Sequence, residues 1–323
     1  MSHPKVSIIV PVYGVEQYIE RCSRSLFEQS YNDEIEYIFI NDCSKDHSID
    51  ILKRVIEDYP HRKAQVKIIN HDINKGLPQA RRTGILEAVG DYIISVDSDD
   101  WVDHSMVEKL TKRAESEKSD IVIYDYATVD NNGTVIKVFK GCLNIEKKAL
   151  IEDMCAMRVS WSACNKMFKR SLITQSIEFP RDNMGEDMAL MMQVVIAAHG
   201  FSYEPEVFYF YYTNPQSMTQ IIDEEKQYAK YLQLKRNTEI VLDAFSKYKL
   251  TQHYHSSIDV IKWNLRKCLW GLIFKQEYRE IWRSTYPEIR YRILINSQLS
   301  LHDKICYILT LLGMYPRRKH RIV

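Results

Sequence analysis

The sequence predicts an α/β fold: a mostly parallel central sheet flanked by helices, followed by a helical C-terminal region. Three observations carry this expectation. Apolar runs alternate with amphipathic segments through the first 126 residues. One run, Tyr92-Ile-Ile-Ser-Val, ends abruptly in Asp97-Ser98-Asp99-Asp100, and strand ends are where open α/β sheets bind ligands. Beyond Asp223, strand-like runs give way to helical periodicity. With 323 residues the chain is long enough for about two domains, and we place them at 1–220 and 221–323.

Expected strands lie at residues 6–10, 35–40, 66–69, 92–96 and 121–126. Between them, Tyr18, Ile19, Cys22 and Leu26 share one helical face, as do Ile51, Leu52, Val55 and Ile56. Residues 77–89 and 106–114 supply two more helices. Asp130-Asn-Asn-Gly133, between two β-patterned runs, predicts a hairpin. A helix at 149–157, a short strand at 164–168, a helix from Glu186 and a Tyr/Phe-rich strand at 207–212 complete the first part. Helical patterns then run over 224–248, over 254–274 and in shorter segments to 312, one of them opened by Pro287.

Composition excludes several classes. Net charge is +1, so no global basic field points to nucleic acid. Seven scattered cysteines with no Cys-x-x-Cys pair argue against a disulfide framework or a zinc site. The first apolar run is too short for a signal peptide, and no run reaches the ~20 apolar residues of a spanning helix. The expectation is a cytoplasmic protein, attached at most to the inner-membrane surface. From Lys275 onward ten Lys/Arg face four acids, interleaved with Trp282, Tyr291, Leu294, Tyr307 and Leu311. This pattern fits either a peripheral membrane surface or a bundle packed on the rest of the chain.

The strand ends carry the chemistry. In an extended chain Asp97 and Asp99 project from one face. Two hard oxygen donors there suit a divalent cation that takes substrate phosphates as further ligands. Pro11-Val12-Tyr13-Gly14 can wrap a flat ligand, since proline fixes φ and glycine frees it. Asn41-Asp42-Cys43-Ser44-Lys45-Asp46 offers carboxylate acceptors for a base or ribose. Asn74-Lys-Gly76-Leu-Pro-Gln-Ala-Arg81-Arg82 opens a helix with cations nearby, a place for an anion.

Taken in order, Pro-Val-Tyr, Asp42, Asn-x-Gly-x-x-x-Ala-Arg and Asp-Ser-Asp-Asp resemble the family 2 glycosyltransferases of the GT-A fold. Trp161-Ser-Ala-Cys-Asn165-Lys166-Met-Phe168, Gly185-Glu186-Asp187 and Tyr211-Tyr212-Thr-Asn-Pro-Gln-Ser217 resemble that family's later segments. The resemblance covers about residues 4–220. It implies an inverting enzyme that moves a hexose or N-acetylhexosamine from a nucleotide sugar, UDP-linked by expectation, to a hydroxyl of a saccharide or lipid-linked oligosaccharide acceptor. On that pattern Pro11, Val12, Tyr13 and Asp42 surround the base, and Gly76 and Arg81 line the nucleotide pocket. Asp97 and its neighbour Ser98 lie at the ribose side, Asp99 holds Mn²⁺ or Mg²⁺, and Asp187 is the general base with Glu186 beside it. Trp161 either stacks on the acceptor sugar or packs in the core. Ser217 and Thr219 sit on a polar loop expected to close over the diphosphate.

The chain departs from the pattern at Asn41, where Asp is common, and at Cys43, where Gly is common. It departs again at Pro78 and Arg82. Two rival readings stand beside this one: a polyprenyl-phosphate sugar synthase, and a nucleotide-sugar-binding partner without catalysis.

Overall fold

The computed structural model describes residues 3–130, 132–213 and 223–314. Strand β1 (Val6–Val12) is entirely buried and lies at the centre of a parallel layer. It pairs with β2 (Ile35–Asn41) on one side and β4 (Tyr92–Ser95) on the other, and β3 (Val66–Asn70) extends the layer beyond β2. All four strands point their C-terminal ends the same way. Pro11, Asn41 and Asn70 and the acidic turn after β4 therefore reach one rim. Helices α1 (Ile19–Phe27), α2 (Ser48–Asp58) and α3 (Leu77–Glu87) supply the connections, as the alternation predicts. Helix α3 sits close on the sheet because Gly84 has no Cβ; one there would collide with Ile9 and Ile40.

Beyond β4 the sheet becomes mixed, a feature that periodicity alone does not reveal. The two-residue β5 (Trp101–Val102) and α4 (Met106–Glu117) precede β6 (Ile121–Val129), and β7 (Val135–Phe139) closes the expected hairpin onto β6. After α5 (Lys147–Cys155), strand β8 (Lys166–Lys169) inserts antiparallel between β4 and β6. Helix α6 (Glu186–Ala197) leads to β9 (Phe201–Tyr212), which runs parallel to β6 and antiparallel to β5. The order across the sheet is β3-β2-β1-β4-β8-β6-β9-β5.

Helix α6 is buried along nearly its whole length. It lies in a core shared with α7 (Glu224–Lys247) and α8 (His255–Lys267), through Val241, Phe245 and Ile258. The first C-terminal helices thus brace the site-bearing helix. Asp223 caps α7 by accepting from the Lys226 amide. Helices α9 (Gln276–Ser284), α10 (Arg292–Ile295) and α11 (Leu301–Leu311) gather around a second core containing Trp263, Trp282 and Tyr307. Among the described residues no helix is long and apolar enough to cross a membrane.

Candidate active site

The acidic turn after β4 divides its carboxylates by direction. Asp100 points inward and is 1% exposed; it accepts from the Tyr209 hydroxyl (2.5 Å) and the Tyr212 amide (2.7 Å). The same Tyr209 oxygen accepts from the Asp97 amide at 3.1 Å. Strand β9 therefore holds the turn in shape. Ser98 is buried, whereas Asp97 and Asp99 are part-exposed. Burial, and then the charge of Asp97, push the Asp99 carboxyl up to about 6. Arg21 braces the turn from below. Its guanidinium lies 3.6 Å from the Trp101 ring centroid, and Nη2 donates to the Asp99 carbonyl oxygen.

Arg81 departs from expectation. Its side chain does not stand free to meet phosphate; it is 2% exposed and surrounded by protein acceptors. Nη2 donates to Asp97 Oδ1 at 2.9 Å, and Nη1 donates to Asp187 Oδ1 at 2.9 Å and to Glu186 Oε1. Nε donates to the Ser95 hydroxyl at 3.1 Å. One buried guanidinium thus ties the turn after β4 to the start of α6. Burial opposes its charge, but Asp187 and Asp97 outweigh that and hold the Arg81 pKa above its ordinary value. Burial and the nearby Asp187 keep the Asp97 carboxyl above its usual range despite Arg81. Glu186 is 4% exposed, and its Oε2 has no hydrogen-bond partner among the described residues. Both Glu186 and Asp187 sit in the first turn of α6, where the macrodipole favours negative charge.

Asp42 is likewise engaged within the protein. Its carboxylate accepts from the amides of Lys75 and Gly76, both at 2.8 Å, and pairs with His71 Nδ1 at 2.7 Å. At 3% exposure it shapes the loop that opens α3, rather than standing open to a base. Gly76, the N-cap of α3, takes φ +83°, which an L side chain resists. The side chains of Pro11 and Val12 are buried, so only their backbone faces the rim; Tyr13 is 51% exposed. Asp46 laces this rim by accepting from the Ser44 and Ser48 hydroxyls and the Glu16 amide, contacts that lower its carboxyl to about 2.

The other carboxylate oxygen of Asp187, Oδ2, accepts from Ser162 Oγ at 3.5 Å. Lys166, fully buried, fixes that segment by donating to the carbonyls of Ser160 and Ser162; burial lowers its ammonium to about 8. Beside it opens a cavity of about 180 Å³, lined by Tyr126, Phe139, Tyr211 and the hydroxyl residues Thr128, Ser160 and Ser162. Trp161, expected on the acceptor or in the core, packs against the core and donates from Nε1 to the Met154 carbonyl. Ser217 and Thr219 lie outside the described residues. Sequence reasoning missed Arg21, the role of Lys166 and the Tyr209–Asp100 contact. Long-range pairing reveals the first and the last, and the fold of the 160–166 segment reveals Lys166.

The family model for glycosyl transferase family 2 matches residues 7–174, and the chain belongs to that family. It is 35% identical over 226 residues to the uncharacterized glycosyltransferase EpsJ of Bacillus subtilis (strain 168), covering 68% of this chain and 64% of EpsJ. The matched stretch is thus under two thirds of that relative's length. The crystal structure of Staphylococcus aureus TarS 1-349 in complex with UDP-GlcNAc shares the fold. Its TM-score is 0.61 at 17% identity, over 97% of this chain and 93% of that one. Mannosyltransferase PcManGT from Pyrobaculum calidifontis, in complex with GDP-Man and Mn²⁺, aligns with a TM-score of 0.54 at 13% identity. That alignment covers 97% of this chain and 88% of PcManGT.

Proposed function

We propose that the chain is an inverting, metal-dependent glycosyltransferase. It transfers a hexose or N-acetylhexosamine from a UDP-sugar to a hydroxyl of a saccharide or lipid-linked oligosaccharide. The setting is surface-polysaccharide synthesis at the cytoplasmic face of a bacterial inner membrane. The observation that carries this reading is the Arg81 bridge, because it sets Asp97 and Asp187 on two ends of one guanidinium. A leaving-group side and a nucleophile side are thereby held in fixed relation.

Asp99 fits a metal. It is a hard oxygen donor without an ion-pair partner among the described residues, and its raised pKa reflects burial first and then the negative charge of Asp97, both of which a cation would offset. Among the described residues no three His, Cys, Asp or Glu side chains converge. Waters and the donor's diphosphate would therefore supply most of the cation's ligands, the usual pattern for Mg²⁺. When bound, the metal offsets the charge that builds on the departing diphosphate. Tyr13 and the backbone of Pro11 and Val12 border the base, and the Gly76 loop lies next to them.

On the opposite side Asp187 accepts the proton of the attacking hydroxyl. Arg81 and Ser162 orient its carboxylate, and the aromatic cavity beside it receives the acceptor ring. Attack from the face opposite the leaving group inverts the anomeric carbon. For Asp187→Asn we expect retained UDP-sugar binding by calorimetry and transfer reduced by about 10²-fold or more. Wild-type turnover in that variant would sink the base assignment. A thermal-shift panel of nucleotide sugars with Mn²⁺ identifies the donor, and release of UDP by slow hydrolysis separates an enzyme from a pure binder.

A further inference from the structure

Helix α11 buries one side and, among the described residues, leaves the other exposed. Cys306, Tyr307 and Thr310 face inward, and Asp303 accepts from Trp263 Nε1 and Lys267 Nζ, both at 3.0 Å. On the opposite side Leu301, Ile305, Ile308 and Leu312 are 73%, 46%, 44% and 70% exposed. At 3.6 residues per turn these four fall within about 60° of one another. The neighbouring α10 segment adds Tyr291 and Ile295, 74% and 81% exposed. A single exposed leucine needs no explanation, but a contiguous strip does.

Among the described residues of these two helices and their flanks the cations are Arg290, Arg292 and Lys304; Arg292 pairs with the buried Asp259, and the acid Asp303 is turned inward. Arg290 is exposed next to Tyr291, and Lys304 flanks the strip on α11 itself. Four more cations, Arg317, Arg318, Lys319 and Arg321, follow shortly in the sequence. A second copy docked on this strip through a two-fold axis would bring like basic segments together, which repel. An anionic bilayer offers the complement of both features: acyl chains for the strip and phosphates for the cations.

We propose that α10 and α11 dock the protein on an anionic lipid surface, with the Leu301–Ile305–Ile308–Leu312 strip inserted and Arg290 and Lys304 against headgroup phosphates. This deepens the membrane-face part of the proposed function and rests on it. The test is co-sedimentation of the full chain with vesicles of phosphatidylcholine alone or with about 30% phosphatidylglycerol, without donor or acceptor. Binding should be at least about tenfold tighter to the anionic vesicles and should weaken in about 0.5 M salt. The triple variant Leu301→Ser, Ile305→Ser, Leu312→Ser should lose binding about tenfold or more, with melting temperature and UDP-sugar hydrolysis unchanged. Arg290→Glu, which leaves the strip intact, should weaken binding to the anionic vesicles only. Equal binding to both vesicle types, or an unaffected triple variant, overturns the proposal. So does a dimer, seen by light scattering, that the triple variant dissolves. Because transfer to a soluble acceptor is measured separately, failure here leaves the transferase reading standing, and the reverse also holds.

Discussion

Arg81→Met keeps a long side chain but removes the cation that three carboxylates share. In the native protein Asp97, Asp187 and Glu186 all accept from a guanidinium that is 2% exposed. Breaking a buried ion pair by removing one partner costs about 3–5 kcal/mol, because the other charges stay desolvated. At about 2 °C per kcal/mol for a chain of this size, the melting temperature should fall by about 6–10 °C at pH 8. The sign of the pH dependence follows from linkage. Without Arg81 the orphaned carboxylates rise in pKa, so the folded variant takes up protons that the native protein does not bind. The deficit should therefore shrink as the pH is lowered toward about 5. Thermal and urea unfolding of both proteins at the two pH values measure it. Transfer should also fall by about 10²-fold or more, since Asp187 loses its alignment. A variant that melts like the native protein at pH 8, or whose deficit grows on acidification, would refute the reasoning.

Asp99 yields a second pH-dependent expectation. With its carboxyl at about 6, the ligand-free folded protein keeps a proton that the unfolded chain releases above about 4. Stability should therefore decline as pH rises through that window. Asp99→Asn should be more stable than wild type at pH 7–8, by at most about 3 kcal/mol, while losing Mn²⁺-dependent UDP binding in calorimetry. A pH-independent stability difference would count against it. Metal-dependent UDP binding by wild type should weaken by up to about tenfold per pH unit below about 6. Tyr209→Phe deletes the hydroxyl shared by Asp100 and the Asp97 amide, and should cost about 1–3 kcal/mol in urea unfolding and raise the KM for donor. Cys43 holds φ +59°, a conformation that costs an L residue about 1–2 kcal/mol. Cys43→Gly, partly offset by a more flexible unfolded chain, should gain about 0.5–1 kcal/mol in the same assay.

How much of this was legible beforehand depends on the range over which each feature is encoded. The strands of the parallel layer, the helices between them and the hairpin at Gly133 follow from periods and turn residues within a few positions of one another. The acidic turn after β4 and the Glu186-Asp187 pair are local too, which is why they stood out as motifs. Asn41 and Cys43 were visible as departures, but only the backbone shows that Cys43 occupies a left-handed position.

What tertiary structure decided is which polar groups are spent inside the protein. Arg81 reads in the sequence as an anion-binding cation, yet it meets Asp187, 106 positions away, in a buried bridge. Asp42 reads as a base acceptor, yet the Lys75 and Gly76 amides and His71 take its oxygens. Likewise Asp100 is inseparable from Asp99 by composition, and only Tyr209 on a distant strand turns it inward. Asp42 finds its partners just after the neighbouring β3, whereas the antiparallel β8 between β4 and β6 links the acidic turn's strand to the part of the sheet that carries β9. Periodicity is a property of neighbours along the chain and so survives in the sequence alone. Desolvation and charge pairing depend on neighbours in space, and only the folded chain determines those.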